Sequence, residues 1–203
     1  MKRTVLAILI TILALGAGIF VKFNKPQLTE AETPPVADAA AVDADTGPIN
    51  VSFRLADLDG VERDFSEWDG QHRILNFWAT WCAPCRREIP LLKAFQDQHG
   101  ADGFQVIGIA VEFPDPVIAY SKAAEFNYPI LVGEQDAMAV AETSGISFVG
   151  LPFTMIIARD GKLISAHMGE IHQEYLDDVA DVLSRLDRGE IDNEAAGKAL
   201  SPF

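Results

Sequence analysis

Cysteine is nearly absent from this chain: its 203 residues hold two, Cys82 and Cys85. A disulfide framework needs several bridges, and a zinc ribbon needs a second ligand pair at similar spacing, so neither can be built. No histidine flanks the cysteines; His72, His99, His167 and His172 would have to converge from a distance to complete a metal site. Basic residues are also scarce, 16 against 30 acids, for a net charge of −14. Residues 1–25 carry four of those bases (Lys2, Arg3, Lys22, Lys25) and no acid, which leaves the remainder 18 units negative. Nucleic-acid binding sets basic groups against phosphate, so that class is excluded. An anionic membrane face is an equally poor working surface; the plain role of such charge is solubility. No metal and no cofactor are expected, and no internal repeat is visible.

Charge is missing altogether from residues 4–21, which follow Lys2-Arg3 and precede Lys22 and Lys25. A helix of that run would be about 27 Å long, close to the thickness of a hydrocarbon core. A buried soluble helix would need a polar outward face, which the run lacks. A cleaved signal peptide would use the small residues around Ala14–Gly18. The length favours an uncleaved anchor over residues 1–23, with Lys2 and Arg3 inside. No cysteine follows the run, which excludes a lipid-modified N-terminal cysteine. Residues 24–48 hold Pro26, Pro34, Pro35 and Pro48 among alanines and acids, with no aromatic residue. They bury too little apolar surface to offset ordering entropy, and read as a spacer. Together these segments point to a single-pass protein whose C-terminal part is exported; the resemblance given below implies a bacterial inner membrane, or its exported equivalent, with that part in the periplasm.

Residues 49–188 carry the patterned domain. Residues 50–55 and 61–65 read as strands around Asp59-Gly60. The apolar runs at 73–78 and 104–111 read as buried strands. Ile89, Leu92 and Phe95 fall at helical spacing after Cys85, and residues 116–126 begin a helix on a proline. A short strand at 130–132 and a short helix at 136–143 follow. Residues 153–158 and 163–167 flank Asp160-Gly161, a hairpin signal. Tyr175, Leu176, Val179, Val182, Leu183 and Leu186 line one helix face. Residues 189–203 form a polar tail, weakly helical at best. This order implies an α/β domain with a mixed central sheet and helices on both faces, an N-terminal hairpin and a central helical insert. Sites in open α/β sheets lie beyond the carboxyl ends of the strands, where Cys82 falls.

Trp81-Cys82-Ala83-Pro84-Cys85 lies between a strand and a helix. The reactive species of cysteine is the thiolate, and a helix N-terminus stabilises it through unpaired N–H groups and the helix dipole. Pro84 suits a first helical turn. Cys82 is therefore the expected nucleophile and Cys85, one turn deeper, the resolving thiol, with a Cys82–Cys85 disulfide as the oxidised form. A purely structural disulfide over this spacing would close a tiny loop and constrain little of the unfolded chain.

The segment Ile74-Leu75-Asn76-Phe77-Trp78-Ala79-Thr80-Trp81-Cys82-Ala83-Pro84-Cys85-Arg86-Arg87-Glu88-Ile89-Pro90 resembles the active-site segment of the thioredoxin superfamily. With Asp57-Leu58-Asp59-Gly60, the insert after Val111 and Gly150-Leu151-Pro152-Phe153-Thr154, it most resembles the membrane-anchored TlpA-like and ResA-like proteins, with cytochrome c maturation thioredoxins nearby. The likeness covers residues 48–187 and implies a thioredoxin fold. It also implies that Pro152 is a cis-proline beside the cysteines, whose loop pairs with an extended substrate through Leu151; the sequence by itself allows an ordinary trans proline. Pro90 matches the family's helix kink. Asn76 stands where cytoplasmic thioredoxins have a buried aspartate, and it cannot titrate. Glu88, three positions after Cys85 on the same helix face, is the candidate replacement as proton acceptor; a solvated Glu88 balancing Arg86 and Arg87 is the alternative. Glu112 should reach the same sheet end, or lie exposed in a loop. Trp81 is expected to shield the thiols and contact substrate, Trp78 to belong to the core, and His167 to be structural.

The resemblance implies a disulfide reductase for exported clients, apocytochrome c among them, recharged by a membrane thiol electron donor, and acting as a monomer. A disulfide-forming oxidase of the same fold stays open. A peroxidase would need Pro-x-x-x-Thr-x-x-Cys, but Leu75 and Ala79 occupy those positions. A redox-inert binding module around Pro152 is hard to reconcile with two intact cysteines.

Overall fold

A computed structural model describes residues 51–145 and 148–201. The expected anchor and spacer, residues 1–48, lie outside them. Among the described residues no helix is long and apolar enough to cross a membrane.

The elements run β1 (Arg54–Asp57), β2 (Glu62–Asp64), β3 (His72–Trp78), α1 (Ala83–His99), β4 (Phe104–Val111), α2 (Pro114–Ala124), β5 (Ile130–Gly133), α3 (Gln135–Glu142), β6 (Phe153–Ile157), β7 (Leu163–Met168), α4 (Gln173–Asp187) and α5 (Asn193–Leu200). They build one seven-stranded sheet in the order β2-β1-β5-β4-β3-β6-β7. Strands β3, β4 and β5 are parallel, as strand–helix–strand crossovers require, while β6 and β7 run antiparallel to their neighbours.

Side-chain parity sorts the sheet into two faces. On β3, Ile74 and Trp78 join the core under α1 and α4, while Leu75 and Phe77 join the core under α3. On β6, Ile156 lies on the first face and Phe153, Met155 and Ile157 on the second. The near-continuous apolar run of β3 follows from burial on both faces, and all seven of its residues are buried. Asn76 lies between Ile74 and Trp78, so it faces α1; Thr154 pairs with it across β3 and β6 and faces the same way. Trp78 is a core residue, 1% exposed, packed against Tyr120 and Phe126.

Three expectations shift. The first strand begins at Arg54, because Phe53 instead stacks on Phe65 beside the sheet. The insert helix begins two residues early, at Pro114, with two prolines in its first turn. The tail, expected to be polar and weakly helical, contains α5. Asp192 caps it by accepting from the Ala195 N–H at 2.8 Å, and Ala196 and Leu200, one turn apart, are buried. Leu200 also accepts from Ser165 Oγ through its carbonyl, at 3.0 Å. Three alanines and one leucine in an eight-residue helix, of which only Ala196 and Leu200 are buried, make too weak a periodic signal to read without the surface they cover.

Candidate active site

Helix α1 begins where β3 ends. Cys82 is its N-cap: the backbone there is extended (φ −81°, ψ 104°), and Sγ accepts from the Cys85 N–H at 3.3 Å. Ala83 and Pro84 occupy the first turn, where a missing N–H leaves no acceptor unmatched. Cys82 and Cys85 are joined as a disulfide with Cα atoms 5.3 Å apart. Cys82 is 5% exposed and Cys85 fully buried, so only the first cysteine has any contact with solvent.

Glu88 is fully buried one turn beyond Cys85, which excludes the solvated alternative. Its Oε1 accepts from Asn76 Nδ2 at 2.7 Å, and its Oε2 accepts from the Ile171 N–H at 3.0 Å. Asn76 Nδ2 also donates to Thr154 Oγ1 at 3.2 Å. Burial pushes the Glu88 carboxyl up to about 7; the two hydrogen bonds oppose the rise and the nearby Glu170 charge adds to it. Such a group exchanges its proton in the neutral range.

Glu112 lies at the sheet end and reaches back to the loop before Cys82. Its carboxylate accepts from the Thr80 N–H at 2.8 Å and from Thr80 Oγ1 at 2.9 Å. Arg86 donates to the Thr80 carbonyl at 3.1 Å, so this residue is held from both sides.

The Leu151–Pro152 peptide is cis. The Pro152 carbonyl accepts from the Gly169 N–H at 2.9 Å, and Leu151 packs against both cores. Trp81 is 67% exposed, so it presents its ring to solvent. Phe113 after β4 and Val149 before β6 are also exposed, and the strand directions bring them to the same sheet end as Trp81. Exposed apolar side chains grouped at one edge suit contact with another chain. His167 stands in β7 against the Tyr175 ring, away from the cysteines in sequence and in a packing role.

Thr154, Thr80, Glu170, Phe113 and Val149 are the residues that sequence reasoning missed. Strand parity with Asn76 could have found Thr154. The others depend on loop paths, which leave no periodic signal. Among the described residues no cluster of three or more His, Cys, Asp or Glu side chains could hold a metal ion.

Residues 43–186 match the Redoxin family. The chain belongs to that family. Within the Redoxin family it is a ResA-like thiol–disulfide oxidoreductase of thioredoxin fold. It is 30% identical over 175 residues to the thiol-disulfide oxidoreductase ResA of Geobacillus thermodenitrificans, covering 85% of this chain and 88% of the relative. The ResA of Geobacillus kaustophilus is 29% identical, covering 86% and 89%. Among solved structures, a thiol:disulfide interchange protein of the thioredoxin family from Chlorobium tepidum superposes with a TM-score of 0.62 at 28% identity. That match covers 69% of this chain and 99% of the other.

Proposed function

We propose that this Redoxin-family protein is an exported disulfide reductase, held at a membrane by residues 1–23. The observation that carries the chemistry is the site itself: Cys82 caps a helix N-terminus, and a buried carboxyl with a neutral-range proton lies one turn behind Cys85.

In the reduced protein, the helix end stabilises the Cys82 thiolate. That thiolate attacks one sulfur of a client disulfide. A Cys82–client disulfide forms and one client thiolate leaves. Cys85 then gives up its proton to Glu88 and attacks Cys82 Sγ, which expels the second client thiolate and closes Cys82–Cys85. The client gains two electrons; one of its thiolates takes the proton that Cys85 passed to Glu88 and the other takes one from solvent. Trp81 offers an apolar contact, and the Leu151–Pro152 loop pairs its backbone with an extended client segment. Cytochrome c maturation, with apocytochrome c as client, fits such a reductase.

The likeness of the active-site segment to TlpA-like and ResA-like proteins supports the reducing direction. An exported compartment is oxidising, so such a reducer needs a dedicated supply of electrons. A tether and spacer raise the effective concentration of the domain near a membrane thiol donor.

A Cys85→Ser variant should accumulate mixed disulfides through Cys82. No adducts, together with a pair that fails to cycle, would remove the reading. Direction is tested by equilibrating the domain with glutathione. A potential near that of thioredoxin, about −270 mV, supports a reductase; one near the strong oxidants, about −120 mV, reverses the assignment to an oxidase.

A further inference from the structure

The loop between β7 and α4 touches both halves of the site through consecutive residues. The Gly169 N–H donates to the carbonyl of Pro152, and the Ile171 N–H donates to Oε2 of Glu88. Gly169 has φ +105°, which side-chain-bearing residues rarely adopt, so the turn that aims both N–H groups depends on glycine here. Between them, Glu170 reaches out to Arg87, the neighbour of Glu88 on α1. The contact is a parallel pair of hydrogen bonds, Arg87 Nε to Oε1 at 2.9 Å and Nη2 to Oε2 at 2.5 Å.

We propose that Arg87 and Glu170 are positioning residues for thiol–disulfide exchange, clamping the 169–171 loop so that one stretch of backbone serves both the Pro152 loop and Glu88. Arg87 is 61% exposed and Glu170 23%, and exposed ion pairs add little to global stability. A two-point guanidinium–carboxylate contact, however, fixes orientation as well as distance. Here it sets where the Ile171 N–H points. It also neutralises the Glu170 charge, which lies close enough to Glu88 to raise its proton affinity. The other titratable groups around Glu88 and its loop are Cys85 on α1, Tyr128 before β5, whose hydroxyl is pushed up by burial and by the Glu88 charge, His172, which acts on the Glu170 charge, and His167 of β7, which hydrogen-bonds the Glu170 backbone. Asn76 and Thr154 are neutral.

Loss of Arg87 acts in one direction. The Ile171 N–H is no longer held on Glu88, and the Glu170 charge loses its guanidinium partner. Both effects favour the protonated acid. The role of the clamp in exchange rests on the reductase reading, but its effect on Glu88 does not. The test therefore starts with the oxidised protein, in which neither cysteine titrates, and follows the Glu88 carboxyl by carbon-13 NMR across pH. Arg87→Gln should bind the Glu88 proton about threefold more tightly, the size expected for an exposed pair. The charge-swapped double variant Arg87→Glu, Glu170→Arg should restore the wild-type titration. The reduced protein should show the same order in the rate at which Cys85 resolves the mixed disulfide formed between Cys82 and a disulfide peptide. An unchanged titration in Arg87→Gln overturns the proposal. So does a shift that the swap fails to rescue, because the effect would then belong to Arg87 alone. Wild-type adduct formation in the same assay separates either failure from failure of the reductase reading.

Discussion

Replacing Glu88 by glutamine should make the oxidised domain more stable in alkaline than in acidic solution, relative to the wild type. Glu88 is fully buried and its carboxyl is raised from 4.5 to about 7. The folded state thus holds the proton more tightly than the unfolded state does. Below pH 4.5 both states are protonated and the group adds no penalty. As pH rises from 4.5 to about 7 the unfolded chain releases its proton first, so stability falls. Above that range the full penalty is present, about 3 kcal/mol from a rise of this size. Glutamine has nearly the same shape and no charge, so the penalty disappears. The environment can accept it: the Thr154 hydroxyl both donates and accepts, so a rotated Asn76 amide can face an –NH2 group with its oxygen while still paired to Thr154. Urea unfolding of wild type and Glu88→Gln, disulfide intact, at pH 4.5 and pH 8.5 checks this. Groups not coupled to Glu88 titrate alike in the two proteins and cancel in the difference. The variant should gain about 3 kcal/mol on the wild type between the two pH values. A difference that is flat with pH would refute the reasoning, because Glu88 would then titrate like an exposed carboxyl despite its burial.

Glu112→Ala removes both acceptors of Thr80, and should lower stability by about 1–3 kcal/mol and speed amide exchange at Thr80; unchanged exchange would show that the Arg86 contact suffices to hold this loop. Leu200→Ala opens a hole under α5 and should cost about 2–4 kcal/mol by chemical unfolding. A midpoint equal to that of wild type would mean that α5 adds nothing to the domain.

Much of the architecture was legible because it depends on short-range rules. The 3.6 period after Cys85 and the apolar runs of β3 and β4 placed these elements to within a residue or two. The strand-to-helix position of Cys82 follows from the same local pattern, and so does the placing of Cys85 and Glu88 on one face of α1.

What the sequence could not determine depended on where loops travel. No periodicity announces that Glu112 turns back onto Thr80, or that residues 169–171 bridge Pro152 and Glu88. Helix α5 was hidden for a related reason: Ala196 and Leu200 count as a face only once β7 lies beneath them. Sequence alone marked Cys82, Cys85 and Glu88 as neighbours, since helical spacing is local. Only the tertiary structure removed Glu88 from water and surrounded it with Asn76 and the Ile171 N–H, and that burial raises its proton into the neutral range.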